Sequence, residues 1–118
     1  MRLAIVGSRK RTDRDRVEAF VAALPADTVV VTGGAAGIDT FAEEAARAAG
    51  LAVVVHRPNM AGVRSRGDAI ARLLARNQTI VDDCDRVVAF VAASRRGGTE
   101  DTIRRARKVG KPVEVIQP

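Results

Sequence analysis

The sequence has no tryptophan and no tyrosine, and its only aromatic residues beyond His56 are Phe20, Phe41 and Phe90. Single-stranded nucleic acids are commonly held by bases stacked on aromatic rings, so a binder of that kind would here have to use arginine instead. A single cysteine, Cys84, excludes an internal disulfide and a cysteine-based zinc cluster. No run of about 18 uncharged apolar residues occurs, which argues against a membrane-spanning helix. Met1 leads directly into an apolar segment, so we expect no secretory leader and a cytoplasmic location. Two familiar phosphate motifs are missing. Gly110-Lys111 is followed by proline rather than Ser or Thr, so there is no P-loop. The dinucleotide fingerprint fails because Thr32 stands at its first glycine and His56-Arg57 stand where its acid belongs. Acidic residues are in deficit, 14 against 20 Lys and Arg, giving a net charge of +6. Such a field draws anionic partners, namely phosphates, nucleotides or nucleic acid, unless the cations only solvate helix faces.

What is present is ample apolar material, 47% of 118 residues, enough for one core and one domain spanning 1–118. Five short runs, Leu3–Val6, Thr28–Thr32, Ala52–Val55, Arg86–Val91 and Pro112–Ile116, are rich in Val and Ile without polar alternation. That is the signature of strands covered on both faces. Amphipathic stretches lie between them at Asp15–Leu24, Asp39–Ala49, Asp68–Asp82 and Glu100–Val109. The rhythm predicts an α/β fold: a Rossmann-like three-layer αβα sandwich on a five-stranded parallel sheet. Order 3-2-1-4-5 would bring the loops after strands 1, 2 and 4 together at the switch point where such sheets bind ligands. The longest irregular piece is Arg57–Gly67.

Those three loops hold the candidate site. They read Gly7-Ser8-Arg9, Gly33-Gly34-Ala35-Ala36-Gly37-Ile38-Asp39 and Ser94-Arg95-Arg96-Gly97-Gly98-Thr99. Glycine lets backbone N–H groups approach an anion closely, and a following helix start adds unpaired donors and a positive dipole end. Gly33, Gly34, Ala35 and Gly37 are expected to donate to phosphate through their backbone. Ser94 or Thr99 could add a hydroxyl, although Thr99 also suits a plain helix cap. Asp39 either faces a ribose hydroxyl or serves its own helix start. Arg76 and Asn77 precede strand 4, and arginine's planar fork of donors suits phosphate.

In this order and spacing the motifs Gly-Ser-Arg, Gly-Gly-Ala-x-Gly-Ile-Asp, Arg-Asn and Gly-Gly-Thr-x-x-Thr resemble the SLOG superfamily, most closely its YspA/cpYpsA-related branch. The resemblance implies a Rossmann-like fold and the binding, for sensing or processing, of a nucleotide or nucleotide-derived ligand. It also implies an alternative, single-stranded DNA binding of the DNA-processing (Smf/DprA-like) type. Lonely Guy phosphoribohydrolases are related too. Their Pro-Gly-Gly-x-Gly-Thr-x-x-Glu motif is matched here at Gly98-Thr99 and by the upstream Arg76, but Thr102 stands where the catalytic glutamate belongs. Hydrolysis of that type is therefore disfavoured, and no catalytic residue is assigned. Relatives that pair through helices beside the site imply a homodimer.

The remaining polar residues admit simpler roles. His56 closes strand 3 and is either a proton carrier or an ordinary strand-end histidine. Asp82, Asp83 and Asp85 read as a helix end and turn rather than a metal site. Cys84 reads as a small buried apolar residue.

Overall fold

The computed structural model describes residues 1–118. The chain alternates strictly: β1 (Arg2–Gly7), α1 (Arg14–Ala22), β2 (Val29–Thr32), α2 (Ile38–Ala48), β3 (Ala52–Val55), α3 (Arg66–Asp82), β4 (Arg86–Phe90), α4 (Gly98–Lys108) and β5 (Val113–Ile116). All five strands are parallel, in the order β3-β2-β1-β4-β5.

The period-two geometry of a strand explains the three layers. Leu3 and Ile5 of β1 point to one face, where they pack with Val17, Val21, Ile38, Ala42 and Ala46 of α1 and α2. Ala4 and Val6 point to the other, against Ile80, Val81, Ile103 and Ala106 of α3 and α4. Because both faces are covered, the strands carry continuous apolar runs. Phe90 is fully buried and meets Phe20 edge-to-face at 5.9 Å, and Phe41 packs at the margin of the same core. All three phenylalanines thus belong to the core. Cys84 is buried, and burial pushes its thiol pKa up.

The helices start earlier than their apolar stripes. α2 opens at Ile38 and α4 at Gly98, each preceded by a positive-φ glycine, Gly37 and Gly97. α3 opens at Arg66, because the Ser65 hydroxyl accepts the Asp68 N–H at 3.0 Å. The irregular stretch before α3 therefore ends two residues earlier than expected, at Ser65. α3 then ends as the acidic cluster begins. Asp82 accepts from Gln78, Asp83 from Arg2 and His56, and Asp85 from the Arg2 N–H. Each acid has its own partner, so the cluster is a helix end and turn.

Candidate functional site

The carboxyl ends of β1, β2 and β4 face one cleft of about 540 Å³, within the usual range for small-molecule sites. Central position in the sheet accounts for this. β1 lies between β2 and β4, so the loops leaving these three strands are neighbours.

Ser8 and Arg9 form the first rim. The Ser8 N–H donates to Phe90 O at 3.0 Å, which ties the loop to β4. Its hydroxyl accepts the Lys10 N–H at 3.1 Å and keeps its own proton free to donate. Gly7 has to be glycine. A Cβ there would stand 2.6 Å from three side-chain carbons of Ile38, because α2 begins directly against the end of β1. Gly37 brings the loops after β1 and β2 into backbone contact, with a virtual Cβ 3.1 Å from Arg9 Cα and Ser8 O.

The loop after β2 differs from its expected role as a phosphate cradle. Its anion is internal. The Asp39 carboxylate accepts the Ala35 N–H at 3.3 Å and faces the backbone N–H groups of Gly33 and Gly7. Ala35 and Asp39 line the cleft, whereas Gly33, Gly34 and Gly37 do not. Gly33 is covered by Arg76 and Asp39, whose tips would stand 2.8 and 2.9 Å from a Cβ. Gly34 turns outward toward Arg57. Asp39 is 5% exposed. Burial raises its pKa to about 6, against the opposing pull of the Ala35 N–H and the Arg76 charge.

Arg76 and Asn77 form the floor. Arg76 donates to Gly33 O at 2.5 Å and through Nε to Asn77 Oδ1 at 3.1 Å. Burial lowers its pKa, Asp39 opposes that, and the like charge of Arg9 adds to it. Asn77 in turn donates to Gly98 O at 3.3 Å and to Asp101 at 3.1 Å. This chain of contacts ties α3 to the start of α4.

Gly97, Gly98 and Thr99 close the far side at the α4 N-terminus, where no side chain caps the helix. Its first N–H groups therefore have no side-chain acceptor. Ser94 is not part of this cleft. Arg95 turns the chain at φ +53, its N–H bonded to Ala92 O, so Ser94 faces a separate groove beside Lys10, Arg11 and Thr12. Arg95 also holds Glu100 in a two-pronged ion pair, with both contacts at 2.9 Å.

Several residues of this cleft were not among the expected nucleotide-site residues. Lys10, Arg96 and Arg104, which the sequence offers only as parts of the basic segments Arg9–Arg16 and Arg95–Lys111 suited to nucleic acid, add cations to its walls. Asp101 adds a carboxylate, and Ile70, Leu73 and Leu74 of α3 add an apolar wall. Asp101 is held by Asn77 and by Arg105 Nε at 2.7 Å. A contiguous basic run, Arg95-Arg96, next to a glycine pair was the available signal for Arg96. Thr102 lines the cleft with its hydroxyl donated to Gly98 O. His56 lies outside the cleft, its Nε2 bonded to Asp83 at 2.7 Å.

An all-parallel sheet in this order, with helices on both faces and a cation-lined cleft at its switch point, defines a Rossmann-like α/β class. Within it, the sequence model of the YspA, cpYpsA-related SLOG family matches residues 1–62, more than half of the chain, and the protein belongs to that family. The matched part carries the loops after β1 and β2. Among solved structures, the chain is similar to DNA processing protein A (DprA) from Streptococcus pneumoniae, with 23% identity and a TM-score of 0.79. That likeness covers 97% of this chain and 49% of the other, so the chain spans about half of the DprA structure. The structural-genomics target TM1055 is similar at 20% identity and a TM-score of 0.66, over 95% of this chain and 71% of that one. Both likenesses concern the fold. No curated protein matches the chain.

Proposed function

We propose that this domain, residues 1–118, binds a nucleotide or nucleotide-derived phosphate ligand in the cleft. One observation carries the reading. Arg9, Lys10, Arg76, Arg96 and Arg104 all line the cleft; Arg104 meets Asp101 at 3.8 Å and Arg76 lies beside Asp39, which leaves Arg9, Lys10 and Arg96 without an ion-pair partner. Elsewhere arginines are commonly paired, as Arg2 is with Asp83, Arg14 with Glu44 and Arg47 with Glu43. Unpaired cations gathered in a concave site favour a multiply charged anion. The phosphate lies between the Ser8–Lys10 rim and the α4 N-terminus, with Thr99 in reach. Asp39 fills the cradle behind Ala35 and takes a sugar hydroxyl rather than phosphate.

Titration calorimetry against mononucleotides, dinucleotides, ADP-ribose and cyclic dinucleotides tests this. Micromolar binding of at least one is expected, and absence of binding below millimolar for all would remove the proposal.

The second reading is a single-stranded DNA module. The groove holding Ser94 and Thr12 adjoins the cleft at Lys10, so a strand could run on from the cleft past Lys10, although the Arg11 charge there is buried and paired with Asp13. A fold shared with a DNA processing protein agrees with this. Catalysis is not proposed. The position of the Lonely Guy glutamate holds Thr102, and nucleoside monophosphates incubated with the protein should release no free base. Release that Asp101→Asn abolishes would overturn this, since Asp101 is the α4 carboxylate in the cleft.

Two further elements belong to the same reading. Two copies pair through helices beside the cleft, and a sedimenting monomer of 12.5 kDa would remove that element alone. The domain works in the cytoplasm. No helix is long and apolar enough to cross a membrane.

A further inference from the structure

The apolar wall of the cleft has no structural use. Ile70, Leu73 and Leu74 lie on one stripe of α3, together with Asn77 and Ile80. None of the first three belongs to either core cluster or packs against one. Ile70 is 45% exposed. Large aliphatic side chains on a surface helix are ordinarily spent on the core. Here they are spent on the cleft. Most of the cations stand elsewhere: Arg9 and Lys10 on the loop after β1, Arg96 on the loop before α4 and Arg104 in the second turn of α4, while Arg76 alone shares α3, at the foot of the wall. The cleft is therefore polarised, anion-seeking at one end and apolar at the other. From Ile70 to Asn77 the stripe runs about 10 Å along the helix, comparable to the reach of a nucleoside monophosphate.

On the nucleotide reading above, we infer that Ile70, Leu73 and Leu74 form the nucleobase subsite. The base packs face-on against the aliphatic wall, with no ring to stack on, while its phosphate meets the cations. The polar groups at the foot of the wall are already engaged. Arg76 is bonded to Gly33 O and Asn77, and Asn77 to Gly98 O and Asp101. The wall therefore reads apolar area rather than a hydrogen-bonding pattern. Purines bind more tightly than pyrimidines, and adenine and guanine bind alike.

The test is calorimetry with ribose 5-phosphate, UMP, AMP and GMP on the full chain. AMP is expected to bind at least about tenfold more tightly than ribose 5-phosphate, with UMP between them and GMP close to AMP. Ile70→Ser, at an exposed position, and the double variant Leu73→Ser/Leu74→Ser should reduce the AMP advantage and leave ribose 5-phosphate affinity unchanged. Circular dichroism melting checks that the variants fold, and the wild-type ligand series decides even if the double variant does not. Equal affinity for AMP and ribose 5-phosphate would overturn the subsite while leaving the nucleotide reading intact. A change of sedimentation on Ile70→Ser with no change in the ligand series would assign the wall to a second copy and overturn it too. If no member of the series binds, the subsite falls, and the nucleotide reading is then decided by the dinucleotides, ADP-ribose and cyclic dinucleotides.

Discussion

Asp39 is a carboxylic acid almost without solvent, and burial holds its pKa at about 6 despite the N–H groups and the guanidinium around it. Its unfolded counterpart titrates near 4. The folded state therefore holds the Asp39 proton more tightly than the unfolded chain. The stability this contributes is fully present below about pH 4 and is lost as pH rises through about 6. Two pKa units amount to about 3 kcal/mol. Asp39→Asn keeps an oxygen for the Ala35 N–H and cannot ionise. Relative to wild type, it should gain up to about 3 kcal/mol between pH 4 and pH 7.5, read by urea unfolding at both. A difference that does not change with pH would show that the carboxylate pays no burial cost. Arg76 tests binding rather than stability. Its Nε and terminal nitrogen are directed to two different acceptors, a geometry that lysine cannot reproduce. Lysine can make only one of these contacts, so Arg76→Lys should loosen the floor of the cleft nearly as much as Arg76→Ala, each weakening a nucleotide by about tenfold, the scale of one lost hydrogen bond from a charged group. Full binding by Arg76→Lys would mean that only its charge matters.

At the scale of elements, two glycines make opposite predictions. A methyl on Gly7 meets the branched carbons of Ile38 at 2.6 Å, where α2 is anchored in the core. Nothing there can yield without lifting the helix start, so Gly7→Ala should destabilise the fold by about 1–3 kcal/mol. A methyl on Gly33 meets the tip of Arg76, which can shift toward the cleft, and the buried carboxylate of Asp39. Gly33→Ala should cost less stability than Gly7→Ala yet lose ligand affinity, because the residues displaced are those of the cleft. Thermal unfolding paired with calorimetry separates the two, and a large loss of stability in Gly33→Ala would contradict the distinction. The same contrast explains what was legible beforehand. Doubly covered strands write themselves as Val-rich runs, so all five strands and the glycine loops could be read directly, while their order 3-2-1-4-5 is inferred from the fold class rather than from spacing. Helix starts could not, since Gly37 and Gly97 open α2 and α4 through backbone angles rather than a side-chain cap. Which way the N–H groups of the loop after β2 point depends on Asp39 folding back four residues to Ala35, a tertiary choice. Ser94 and Thr99 look equivalent as letters, and the turn at Arg95 puts them in different grooves. Leu73 and Leu74 have the periodicity of a core stripe, and only the three-dimensional packing reveals that no core receives them.

For the molecule as a whole, the net charge of +6 leaves open whether the anion it attracts is small or polymeric, and the placement of the cations turns this into a measurable difference. A single strand following the cleft past Lys10 into the neighbouring groove would neutralise phosphates on the cleft cations and release their counterions. With about five such contacts and a slope near −0.7 per phosphate, affinity should fall about a hundredfold between 50 and 200 mM salt. A mononucleotide places one phosphate between the Ser8–Lys10 rim and the α4 start, releases no comparable ion atmosphere, and should lose only a few-fold over the same range. Our reading predicts the shallow profile for nucleotides and, for oligonucleotides, weak binding that salt abolishes. Lys10→Glu sharpens the comparison, because Lys10 alone borders both grooves. It should nearly eliminate oligonucleotide binding at 50 mM salt; a mononucleotide, whose phosphate meets the same Ser8–Lys10 rim, should weaken as well but keep its shallow salt profile. Tight oligonucleotide binding with a steep salt slope, removed by Lys10→Glu in a protein indifferent to AMP, would instead make the cleft one station on a path for DNA.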